Sequence, residues 1–190
     1  MKRVREEHGY SLIELLVVMV ILGIVVGGLT TVFVSGSKAE LDMNKRFTAQ
    51  QNSRLALTQL RNDLHVSCDA TASTGQLLLF PSNGSSATPS CSATANIVWC
   101  TAASALNPAR YALYEAAASS CSSPPVGKLY ADYLTTNTLF TKNAPAAGSK
   151  QRTSVTVDLP VNTNKASSAT TSVDRYELKD TIVLRNSLPG

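Results

Sequence analysis

The chain has 190 residues, 44% hydrophobic but only 16% charged and 6% aromatic, with a formal charge of +4 at neutral pH. The length allows an N-terminal segment plus one domain of ordinary size. The small net charge gives no ground for a nucleic-acid binder on electrostatics alone.

Residues 1–9 carry three basic side chains (Lys2, Arg3, Arg5) and two acids (Glu6, Glu7), a net +1, so losing them takes the chain from +4 to +3. Their Lys/Arg excess favours retention on the cytoplasmic side of a membrane. Next comes Gly9-Tyr10-Ser11-Leu12-Ile13-Glu14-Leu15-Leu16-Val17-Val18, then an apolar run with no charge until Lys38. Residues 15–37 are enough to cross a hydrocarbon core of about 30 Å. Glu14 is out of place there, because an acid held at mid-bilayer costs roughly 2.5–3.5 kcal/mol. A cut between Gly9 and Tyr10 would create an α-amino cation about one helical turn away. When such helices bundle out of water, an amine on one subunit can neutralise Glu14 on the next and fix axial register.

Two simpler readings compete. A plain transmembrane helix leaves the Gly-aromatic junction unexplained. A secretory signal cut after Ser37-Lys38-Ala39 would have an apolar region longer than the usual ~7–15 residues, with an acid inside it.

The junction, the acid and the apolar run together resemble the class III signal of type IV prepilins and pseudopilins, over roughly the first 30 residues. Tyr10 stands where that family usually has Phe. The resemblance implies cleavage after Gly9 by a prepilin peptidase, N-methylation of Tyr10, and Glu14 as the assembly contact. It implies a membrane-held precursor, an inner-membrane assembly platform, other pilin subunits as partners, and a final place in an extracellular filament. The expected division is a leader at 1–9, a transmembrane and assembly helix at 10–37, and an extracellular head at 38–190.

Within the head, residues 38–66 read as an amphipathic helix with a stripe of Met43, Phe47, Leu57, Leu60 and Leu64. Arg61, Asn62 and Asp63 fall off that stripe or at its margin. No proline occurs between Tyr10 and Val66 to stop the helix. Strands are expected at 76–80, 97–101, 110–114, 129–134, 154–159 and 176–185, the second and third paired across Asn107-Pro108. Loops rich in Ser, Thr, Ala, Pro and Gly are expected at 81–92, 117–125, 143–150 and 162–172. The sum is a long helix on an antiparallel sheet, an α+β, type IV pilin-like fold.

Four cysteines, Cys68, Cys91, Cys100 and Cys121, follow the apolar segment. An even count in an exported domain points to two disulfides with three connectivities open. Pairing sequence neighbours, Cys68 with Cys91 and Cys100 with Cys121, is preferred. The spacings lack a close cysteine pair and do not suggest zinc. Neither a metal nor a cofactor is expected. Histidine is confined to His8 and His65, and the aspartates are scattered, so catalysis is not expected either. A solvated or capping role suits His65. Asn83-Gly84-Ser85 fits a glycosylation acceptor and residues 163–172 could carry O-linked sugar, both weak patterns.

The helix segment 54–64 and the ending Ile182-Val183-Leu184-Arg185-Asn186 further resemble the larger minor pilins and J-type pseudopilins, which implies a minor or tip role. The alternatives are a major subunit, or a tip protein whose head binds DNA, a surface or secreted cargo.

Overall fold

The computed structural model describes residues 11–83, 90–123, 125–163 and 175–187. Among the described residues one helix, α1 (Leu12–Val66), is followed by eight strands, and two compact units divide the chain between Asn44 and Lys45.

In the first unit α1 starts at a cap. Ser11 Oγ accepts the Glu14 N–H at 3.3 Å, and the Ser11 carbonyl accepts Glu14 N at 3.1 Å and Leu15 N at 3.3 Å. Ser11-Leu12-Ile13-Glu14 has the capping-box spacing, and an acid in the first turn also suits the positive end of the helix dipole. Thr30 and Thr31 turn their hydroxyls back onto the carbonyls of Val26 (2.8 Å) and Gly28 (2.7 Å). Such bonds satisfy the polar atoms within the helix and leave its outside greasy. The large apolar side chains from Leu12 to Phe33 are all exposed, from Val17 at 49% to Leu12 at 91%.

In the second unit α1 buries Ala49, Ser53, Ala56, Leu57, Leu60, Asp63 and Leu64. This corrects the expected stripe, since Met43 is 71% and Phe47 59% exposed, whereas Asp63 is only 6% exposed. Ten residues turn a helix through about 1,000°, which leaves Phe47 about 80° away from the Leu57 face. The inward positions nearest the start of the head belong to small residues, Ala49, Ser53 and Ala56. Following bulk instead of angle steps over them.

The strands are β1 (Ser67–Ser73), β2 (Gln76–Pro81), β3 (Ile97–Ala103), β4 (Tyr111–Ala116), β5 (Lys128–Leu134), β6 (Phe140–Asn143), β7 (Ser154–Asn162) and β8 (Arg175–Val183). They form one antiparallel sheet in the order β1-β2-β3-β4-β5-β7-β6, with β8 on the other side of β7. An α+β arrangement with two disulfides is the result, as the sequence suggests. The core collects Leu57, Leu60 and Leu64 of the helix with Leu77, Leu79, Trp99, Leu113, Leu134, Val157 and Leu159 of the sheet.

Two strands escape the sequence pattern. β1 is Ser-Cys-Asp-Ala-Thr-Ala-Ser, with no bulky alternation, and it begins directly after the last helical residue. β6 has four residues, and its last, Asn143, occupies the start of an expected loop. β7 runs beyond the expected 159 through Pro160 to Asn162, with the Pro160 carbonyl accepting Thr135 N at 2.9 Å. β8 stops at Val183, because Leu184 turns inward and its N–H bonds to Thr153 O at 2.9 Å.

The edges of the sheet are covered. β1 and β6, the two ends of the strand path, touch, and Lys142 Nζ reaches Asp69 Oδ1 at 2.8 Å. β8 runs beside the helix, tied by Arg61 to Asp180 (2.8 Å), His65 Nδ1 to Val183 O (3.1 Å) and Arg54 Nε to Tyr176 Oη (3.4 Å). Asn186 Nδ2 closes the seam on Val66 O at 3.0 Å. Covering an edge in this way removes a template for pairing with another chain.

Candidate functional site: the N-terminal helix and its seat on the sheet

Gly9 and Tyr10, the expected cleavage and methylation positions, lie outside the described residues. Glu14 is exposed in the first turn of α1, with Ser11 capping its N–H. Beyond it follows an uninterrupted apolar surface. Among the described residues α1 is the one helix long and apolar enough to cross a membrane. An acid heads a rod that presents hydrocarbon on every side. Residues 4–30 match the prokaryotic N-terminal methylation motif.

In this segment and in its α+β fold the chain is type IV pilin-like. The matched stretch contains the Gly9–Tyr10 junction, Glu14 and the first half of the apolar run. No curated protein and no solved structure matches the chain.

The pilin-like head grips α1 through a polar contact that periodicity misses. Asp63 Oδ2 accepts the Trp99 Nε1–H at 3.0 Å, and Oδ1 accepts Gln59 Nε2–H at 2.9 Å. Ser67, the first residue of β1, donates its hydroxyl to Asp63 O at 2.6 Å and so serves the helix C-terminus. Burial pushes the Asp63 carboxyl above its usual value, and the nearby Glu115 charge adds to the rise, while the Trp99 and Gln59 hydrogen bonds oppose it. The Trp99 ring lies 5.0 Å from that of Tyr130, tilted by 43°. Lys128 Nζ stands 4.6 Å above the Tyr130 centroid. Burial also raises Tyr130, with a hydrogen bond to Glu115 in the same direction. One signal could have found Asp63. It lies at i+4 from Gln59 and i+3 from Leu60, in the row with Ala49, Ser53 and Ala56, and the chain has one tryptophan needing an acceptor.

The cysteines bond as Cys68–Cys91 and Cys100–Cys121, with Cα–Cα distances of 5.4 and 5.8 Å. The first ties β1 to the segment after β2, where Ser82 and Cys91 also form an isolated bridge. The second fastens β3 to the loop between β4 and β5. His65 is neither free nor a simple cap. Its Nδ1 faces a carbonyl that can only accept, so Nδ1 carries the proton and donates to β8. Among the described residues no group of three or more His, Cys, Asp or Glu converges to hold a metal. Asn83 is described, but Gly84, Ser85 and residues 164–174 lie outside the described residues, and the glycosylation patterns with them.

Proposed function

We propose that the chain is a structural subunit, minor or at the tip, of a type IV pilus-like filament. The peptidase cuts after Gly9, Tyr10 becomes the methylated N-terminus, and the helix leaves the bilayer for a bundle of like helices. The partners are prepilin peptidase, the inner-membrane assembly platform and other pilins. The leader stays cytoplasmic and residues 38–190 end up outside the cell. The observation carrying this reading is the pairing of Glu14 with an apolar shell that the chain itself leaves uncovered. An acid carried into such a bundle needs a cation, and the new amine of Tyr10 on a neighbouring subunit supplies one.

The test must separate charge from capping, since Glu14 also holds the capping-box position relative to Ser11, which accepts its N–H. Glu14→Gln keeps a residue that can serve the box but removes the charge. Ser11→Ala removes the cap at a cost of about 1 kcal/mol and keeps the charge. Processing, read by N-terminal sequencing, should survive in both. Incorporation into filaments should fail with Glu14→Gln and persist with Ser11→Ala. Normal incorporation of Glu14→Gln overturns the assembly role.

A further inference from the structure

A buried ionisable group needs a reason or a consequence, and the proposed filament contact makes no use of Asp63. Its backbone is in the last turn of α1, and its carboxyl is inserted between the helix and β3. The described contacts of the carboxylate oxygens are two neutral donors, Trp99 Nε1 and Gln59 Nε2. Neither brings a positive charge. On the sheet side the charge that acts on Asp63 is Glu115 on β4; behind it on β5 are Lys128, in register with Glu115, and Tyr130, packed on Trp99. Glu115 is an acid like Asp63, and the Lys128 ammonium is held over the Tyr130 ring. On the helix itself, Arg61 and His65 are turned the other way, to Asp180 and Val183 of β8. Ionised, Asp63 is thus a desolvated anion beside another acid. Protonated, it is a neutral group that still accepts hydrogen bonds.

We propose that Asp63 is an acid-tightened joint: the C-terminal end of α1 seats most firmly on the sheet when this carboxyl holds a proton, and loosens as the proton leaves for solvent. The sign follows from linkage. Burial raises the native value above the unfolded one, about 3.9 for an aspartate, so the folded state binds the proton more tightly. The stabilisation is complete below the unfolded value and disappears as pH rises through the native one. One proton limits the slope to at most about tenfold in the folding constant per pH unit. Trp99 reports the same event, because its indole N–H bonds to this carboxyl and it is the chain's single tryptophan.

The experiment uses the full chain in detergent micelles, titrated from about pH 4 to about pH 8. Thermal unfolding and Trp99 emission are followed together. In the wild type, stability should fall as pH rises and the emission should shift over the same interval. Asp63→Asn should abolish the emission shift and flatten that part of the stability profile. Glu115→Gln removes the neighbouring acid, so both transitions should move to lower pH, and this variant keeps the test decisive if Asp63→Asn fails to fold. Stability that rises with pH across the interval overturns the proposal. So does an emission shift that survives Asp63→Asn, or one that Glu115→Gln leaves in place.

Discussion

The two halves of α1 share one unbroken helix and obey opposite rules. From Leu12 to Phe33 every large apolar side chain is exposed, and the polar atoms of Thr30 and Thr31 are turned inward onto the backbone. From Ala49 to Leu64 the apolar residues are buried, and with them goes an acid, Asp63. The first half is complementary to an environment outside the chain, lipid or like helices. The second is complementary to its own sheet. Apolar content therefore says little about where a side chain sits, and the angular distribution of small and polar residues says much more.

The contrast can be broken most forcefully by truncation on each half. Leu60 is fully buried, so Leu60→Ala should cost the head about 2–5 kcal/mol in denaturant unfolding monitored by Trp99. Leu16→Ala, at a position 62% exposed, should leave that transition unchanged and act only on membrane retention or assembly. Equal effects from both would erase the distinction.

Next in size is the staple between β3 and the β4–β5 loop. Replacing Cys100 and Cys121 together by Ser frees a 21-residue separation and should lower stability by about 3 kcal/mol in the chain-entropy account. Reduction of the wild type opens Cys68–Cys91 as well and should cost at least as much, and the helix content of residues 12–37 should not respond.

The smallest effects come from glycine, and here the two units of the chain differ in sign. Gly75 turns β1 into β2 with φ +80°, and an added Cβ would lie 3.1 Å from Thr101 Oγ1. Gly75→Ala should therefore cost about 1–2 kcal/mol of head stability. Gly27 sits mid-helix with nothing within 4 Å of such a Cβ. Gly27→Ala should make residues 12–37 more helical, by about 1 kcal/mol of propensity, as read by amide exchange in micelles. An equal penalty at both would mean that Gly27 is already in close contact with a partner in the sample used.

Much of this was legible from the residues. The apolar run announces the helix, and the alternation of Val155, Val157 and Leu159 announces β7, because bulky side chains at period 2 or in long blocks leave a strong pattern. What stayed hidden is built from small or polar residues. β1 has no bulky alternation and follows the helix without a turn to mark it. β6 is too short for a period to show. Asp63 looks like a marginal surface acid until Trp99, 36 residues away, is folded against it. The cap that Ser11 forms on the Glu14 N–H was also masked, by the more conspicuous oddity of an acid beside hydrocarbon, although the Ser-x-x-Glu spacing was in view.

The direct passage from Val66 to Ser67 has a mechanical consequence. With no slack between helix and strand, tension along α1 is handed at once to β1, which lies at one end of the strand path and would otherwise peel from β2 pair by pair. Cys68, the second residue of β1, is bonded to Cys91, so the pull passes into a covalent tie before it can unzip the sheet.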